Sequence, residues 1–175
     1  SSAASDVYKR QFMIRAFDPQ QDKERLCDLF ATLIEQHKEY ISHGELQMGI
    51  ATDPKTLAPN FKEVWLQYLE RQYTDPQTSI RLYETDEEGT LAGFIIFGTR
   101  DDGAAPYGVI YDLGVLPELR KKGTGSLLVR TALDALREQG VEACYLESGV
   151  NNHSAHHFFE QFGFRQVSCV FRNKL

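Results

Sequence analysis

Cysteine is scarce. Cys27, Cys144 and Cys169 are odd in number and widely spaced, which argues against a disulfide framework and against a cysteine-rich zinc site. Prolines number six in 175 residues, and no proline- or serine-rich linker, internal repeat or low-complexity tract interrupts the chain. One domain is therefore expected. No apolar run approaches the roughly 20 residues of a membrane-spanning helix. Positive charge is in deficit, with 19 Lys and Arg against 25 Asp and Glu and a net charge of -6. A dedicated nucleic-acid binder needs the opposite balance to neutralise phosphates. What remains is ample apolar material. Hydrophobic residues make up 42% and aromatics 11%, enough for a packed core and too much for global disorder. The expectation is a soluble cytoplasmic protein with no membrane partner, and these numbers leave enzyme and binding module both open.

Residues 1–12 stand apart. They carry no apolar stretch and no cleavage pattern, and Asp6-Val7-Tyr8-Lys9-Arg10-Gln11 resembles a translated sequencing adaptor. They are expected to be a non-native tail, with the domain at 13–175; a genuine frayed terminus is the alternative.

From Met13 onward the pattern alternates between classes. Ile14 to Phe17 reads as a strand. Asp18-Pro19 reads as an N-cap with proline in the first turn, opening a helix to about Tyr40 with Leu26, Leu29, Phe30, Leu33 and Ile34 on one face. Ile41 to Asn60 reads as irregular. A second helix carries Val64, Trp65, Tyr68 and Leu69 and ends before Asp75-Pro76. Ile80–Glu84 and Leu91–Thr99 form a hairpin around Asp86-Glu87-Glu88-Gly89. Tyr107–Val115 is a third strand of the meander. An amphipathic helix over Leu127–Leu136 ends near Gly140. A strand at Ala143–Glu147, a helix at Ser154–Phe162 and a last strand at Gln166–Arg172 complete the order. This is an α/β fold of the α+β type, a mixed sheet with helices on its faces.

The chemistry concentrates between strand and helix at Val115-Leu116-Pro117-Glu118-Leu119-Arg120-Lys121-Lys122-Gly123-Thr124-Gly125. A glycine-containing turn at a helix N-terminus presents backbone N–H groups and a positive dipole end to anionic oxygen. Three consecutive cations add to that in an otherwise acidic chain, and a diphosphate is the natural guest. Neither the P-loop nor the dinucleotide glycine pattern is matched. On its own the segment is better read as a helix start with solvated bases.

It is not alone. Val-x-Pro-x-x-Arg-x-x-Gly-x-Gly after one strand, followed by Asn152-x-x-Ala155-x-x-x-Phe159-x-x-x-Gly163-Phe164 after the next, resembles the GNAT superfamily of N-acetyltransferases. The resemblance spans Met13 to Leu175, with its motifs between Asp112 and Phe164. It implies a sheet splayed between its fourth and fifth strands, with the pantetheine arm of acetyl-CoA in the gap. It implies coenzyme contacts from Leu113, Val115, Arg120, Lys121, Lys122, Gly123, Thr124, Gly125, Asn152, His156 and Phe159. It also implies acetyl transfer to a primary amine by direct attack in a ternary complex, without a metal.

Direct attack needs a neutral amine, a polarised thioester carbonyl and a proton for the departing thiolate. An amine with a pKa of about 10 arrives protonated, so a base is required. Asp112 is the first candidate, a carboxylate in an otherwise apolar strand; a structural carboxylate satisfying backbone donors is an equal reading. Glu147, at the end of the facing strand, is the second, with simple exposure as its alternative. A backbone N–H near Val115 would meet the oxyanion. The family often places Tyr, the usual thiolate acid, where this chain has Phe159, which holds no proton to give. His156, Ser154 and Tyr145 lie near in sequence.

Between Asp18 and Asp75, acids outnumber bases eleven to six, which would draw a small cationic acceptor such as an aminoglycoside-like compound or a polyamine. Exposed helix faces are commonly acidic in any case. Trp65, Tyr40 and Tyr68 read as core residues. His37, His43 and Glu39 lack a third ligand at metal spacing, and no metal is assigned. The alternatives are acetylation of a protein N-terminus or lysine, and a coenzyme A-binding sensor without turnover. A homodimer is compatible with all three.

Overall fold

The structure, a computed structural model, describes residues 3–6, 13–85, 89–103 and 105–175. Most of the 1–12 tail, and the hairpin tip at 86–88, lie outside the described residues. Strand β1 (Ile14–Ala16) leads into helix α1 (Pro19–Gln36). Asp18 caps α1 by accepting from the Gln20 amide, and proline opens its first turn. The helix ends four residues short of Tyr40, and a separate 3-10 turn (Lys38–Tyr40) follows.

The segment expected to be irregular is ordered. Ser42 and Glu45 close a reciprocal capping box on a short helix α2 (His43–Met48), which Gly49 ends in the left-handed region. A small hairpin of β2 (Ala51–Asp53) and β3 (Thr56–Leu57) leads to α3 (Phe61–Thr74). The long meander follows as β4 (Thr78–Glu84), β5 (Leu91–Arg100) and β6 (Tyr107–Val115). After a 3-10 turn (Pro117–Leu119) come α4 (Thr124–Glu138), β7 (Cys144–Leu146) and α5 (His153–Glu160).

The main sheet runs β1-β4-β5-β6-β7, antiparallel except for the parallel β6–β7 pair. A parallel neighbour requires a crossover, and α4 supplies it. Strand β5 is buried on both faces, and its alternation divides the core. Phe94 and Ile96 join α1 and α3 on one side, around Trp65, Phe30 and Leu26. Ile95 and Phe97 join α4 on the other, around Leu128, Val129 and Ala132, with Phe158 and Phe159 of α5 at the margin. The Phe30 and Trp65 rings stack at 4.2 Å between centroids, joining α1 to α3.

The expected last strand does not form. Residues 165–175 are exposed and adopt no regular structure, although Val167, Val170 and Phe171 give them a strand-like pattern. A strand exists only with a ladder beside it, and this segment runs instead toward β2. There Arg172 Nη2 donates to the Thr52 carbonyl at 3.4 Å.

Candidate active site

The site begins with a discontinuity in β6. Ile96 of β5 pairs with Asp112 and Phe97 pairs with Ile110, so Tyr111 is an extra, bulged residue. On the opposite edge, pairing with β7 covers only Gly108–Cys144, Val109–Tyr145 and Ile110–Leu146. Beyond Ile110 the fourth and fifth strands of the sheet part, and Asp112, Leu113 and Val115 continue against β5 alone. The splay is where the resemblance implied it.

Asp112 sits at the start of that gap. Tyr68 Oη, from α3, donates to its Oδ2 at 2.7 Å. Burial pushes the Asp112 carboxyl up to about 8, the nearby charge of Glu45 adds to the rise, and the Tyr68 hydrogen bond opposes it. Burial also raises the Tyr68 phenol, and the Asp112 charge raises it further, so Tyr68 remains a donor. Tyr68 is therefore more than the core residue its spacing suggested, because one end of it packs and the other holds the carboxylate. Glu45 enters through the capping box: its Oε2 accepts from the Ser42 amide and hydroxyl, both at 2.7 Å.

Glu147 follows β7 and is mostly exposed, its carboxylate 3.2 Å from His43 Nε2. The first turn of α2 thus faces both acidic candidates, with Glu45 acting on Asp112 and His43 on Glu147. Their environments differ sharply: Asp112 lies half-buried in the sheet, whereas Glu147 faces solvent.

The loop expected to hold the coenzyme diphosphate follows β6. Lys121, at φ 60°, and Gly123, at φ 85°, both occupy the left-handed region, and a lysine there is uncommon enough to mark a constrained turn. No side chain caps α4, so its first amides face outward beside Lys121 and Lys122, which are exposed. An uncapped helix start beside two cations fits a diphosphate. Thr124 is buried as a whole residue. Gly125 is close-packed: a Cβ there would lie 3.4 Å from the Phe158 ring. Arg120 behaves differently from its neighbours. Its Nη2 donates to Tyr40 Oη, its Nε donates to the Val115 carbonyl at 3.4 Å, and its guanidinium carbon lies 5.5 Å from the Tyr40 ring centroid.

On the far lip, Asn152 caps α5 by accepting from the Ala155 amide at 3.3 Å, which leaves its NH2 group for an incoming carbonyl. His156 Nε2 lies 3.0 Å from the Gly149 carbonyl, which can only accept, so that nitrogen carries the proton and holds the loop. Phe159 packs against Phe158 and Phe164 at 5.2 and 5.8 Å between centroids. Ser148 Oγ is, among the described residues, the buried side-chain oxygen without a partner. A hydroxyl buried just past the end of β7 suits an amide-bearing arm lying in the gap. Nothing in the spacing of Ser148, Tyr68 or Glu45 marks them in the sequence, because each acquires its role by tertiary placement.

The profile of the Acetyltransferase (GNAT) family matches residues 50–164. Over 87 residues the chain is 39% identical to mycothiol acetyltransferase of Propionibacterium freudenreichii, covering 50% of this chain and 28% of that protein. It is 23% identical over 113 residues to N-alpha-acetyltransferase 30 of Schizosaccharomyces pombe, covering 65% and 75% of the two chains. Among solved structures, a tetramutant of the BH1408 protein of Bacillus halodurans superposes with a TM-score of 0.69 at 17% identity, over 93% of this chain and 99% of that one. Glucosamine-6-phosphate N-acetyltransferase of Arabidopsis thaliana gives 0.63 at 17%, over 92% and 96%. At such identities the superpositions speak for the fold. With the splayed sheet, the loop at 120–125 and the match over 50–164, this chain belongs to the GNAT acetyltransferase family.

Proposed function

We propose that the protein transfers the acetyl group of acetyl-CoA to a primary amine of a small cationic molecule, in a ternary complex, with Asp112 as the base. The observation that carries this reading is the half-buried Asp112 carboxyl at the head of the splay, raised to about 8 and held by Tyr68. Moving a proton from an ammonium of pKa about 10 to a carboxylate of pKa about 4 costs about 8 kcal/mol, whereas moving it to a group near 8 costs about 3. The raised value therefore removes most of the barrier to generating a neutral amine in place.

The chain's own residues supply the remaining steps. Backbone amides of residues 120–125, with Lys121 and Lys122, hold the diphosphate. The Asn152 amide and the Ser148 hydroxyl meet the pantetheine arm. A β6 amide near Val115 polarises the thioester carbonyl. Asp112 takes the ammonium proton, the neutral amine attacks that carbon, the carbon–sulfur bond breaks, and the second nitrogen proton passes to solvent. Phe159 protonates nothing, and the thiolate leaves as an anion, tolerable for a thiol of pKa about 8.5. The acidic surface from Asp18 to Asp75 supports a cationic acceptor.

Incubation with acetyl-CoA and a panel of amines, reading free-thiol release, tests the proposal. Turnover with polyamines or aminoglycosides supports it. Turnover confined to peptide N-termini or lysines would favour the protein-acetylating alternative, toward which the likeness to N-alpha-acetyltransferase 30 points. Coenzyme binding without turnover across the panel would make this a sensor.

A further inference from the structure

The 3-10 turn and its flanks touch both lips of the cleft. On the β6 side, Tyr40 Oη accepts from Arg120 Nη2 and the Tyr40 ring lies beneath the guanidinium. On the β7 side, the Glu39 and Ile41 carbonyls press on Gly149 so closely that a Cβ there would stand 2.6 and 2.8 Å from them. His43 adds its contact with Glu147 at 3.2 Å. That second lip is itself anchored, since the Gly149 carbonyl accepts from the Asn152 amide at 2.9 Å and from His156. Within the turn, the His37 and Tyr40 rings stack at 5.0 Å and Ile41 is buried in the core.

We propose that residues 37–43 form a strap across the open end of the β6–β7 cleft, latched by Tyr40 on Arg120, and that a bound diphosphate draws Arg120 off Tyr40 and releases the strap. The proposal rests on the reading of residues 120–125 as the diphosphate loop. Arg120 belongs to that loop, yet its guanidinium donates to a neutral phenol and lies over its ring. Phosphate oxygen is the stronger partner, because charge-assisted bidentate contacts to guanidinium are roughly twice as strong as neutral ones. The strap runs directly into α2, whose Glu45 acts on Asp112. Unlatching therefore reaches the acceptor side. The latch also lowers coenzyme affinity by the fraction of molecules held shut.

Isothermal calorimetry with coenzyme A tests this, alongside hydrogen exchange of the amides at 37–43 with and without coenzyme. Tyr40→Phe keeps the ring and removes the acceptor oxygen. It should bind coenzyme A about three- to tenfold more tightly than the parent. In an Arg120→Ala background the same change should have no effect. In the parent, strap amides should exchange faster with coenzyme bound; in Tyr40→Phe they should exchange fast from the start. Equal or weaker coenzyme affinity in Tyr40→Phe would overturn the latch, as would a gain that persists without Arg120. A parent that binds no coenzyme A would instead overturn the reading of the loop. In that case, unchanged strap protection in Tyr40→Phe would separately dismiss the latch.

Discussion

At the scale of single residues, Asp112 carries opposing consequences for activity and stability. Its folded carboxyl lies near 8 and an unfolded one near 3.8. A value raised on folding gives stability that is complete below pH 3.8 and is lost as pH rises through 8, at up to about 1.4 kcal/mol per pH unit. Asp112→Asn should remove that loss. Thermal melts should show the variant well above the parent at pH 8, with the gap closing by pH 4. Its activity should move the other way. The parent rate should rise as Asp112 ionises around pH 8, and the variant should lack that inflection and run about a hundredfold slower at high pH. An identical pH–rate profile in the two proteins would remove Asp112 as the base. Asp112 was visible in the sequence as a lone charge in an apolar strand. Its proton affinity was not, because that depends first on burial, then on Glu45 in a segment read as irregular and on Tyr68, 44 positions away.

At the scale of elements, legibility followed periodicity. Strand β6 matches its expected bounds, and α1, α3, α4 and the β4–β5 hairpin lie within a few residues of theirs, because each pairs a clear apolar stripe with a cap or turn. Helix α2 escaped notice since six residues are too few for a stripe and its stability comes from the Ser42–Glu45 box. The strand expected at 166–172 failed for the reverse reason, a good pattern without a ladder. The loop preceding α4 makes an element-level prediction. Gly125→Glu would set a carboxylate at the uncapped helix start and press its Cβ on Phe158, so coenzyme A affinity should fall about tenfold or more by calorimetry. A second prediction concerns the seam of β1, α1 and β4. Asp22 is fully buried, takes 2.6 and 2.7 Å bonds from Arg15, and accepts from the Asp18 amide at 2.8 Å. The Arg15 hydrogen bonds hold its carboxyl below the usual carboxylate range, so its contribution is present above pH 3.8 and fades as acid protonates it. Asp22→Ala should cost about 3 kcal/mol in urea melts at pH 7 while leaving coenzyme affinity intact.

At the scale of the whole molecule, charge is distributed unevenly with a purpose. A chain of net charge -6 places Arg120, Lys121 and Lys122 together beside the cleft and leaves acids along the acceptor segment. On the proposed function, a polyanionic coenzyme and a cationic acceptor would be drawn to different sides of the same gap. The two-faced core around β5 carries the fold from Met13 onward. Removing residues 1–12 should therefore leave the melting temperature within about 2 °C of the parent, since a loss of 1 kcal/mol would move it by about that much or more. A larger drop would make the tail part of the domain.

The exposed stretch after Phe164 has a practical side. Arg165, Arg172 and Lys174 lie there on backbone without a ladder, next to exposed Val167, Val170 and Phe171. Trypsin should clip these bonds before it enters the sheet. In concentrated stocks, the same apolar side chains would be the first to seek company, beside a β7 edge that offers free amides and carbonyls on its outer side. Handling conditions, as much as chemistry, will be set by these last eleven residues.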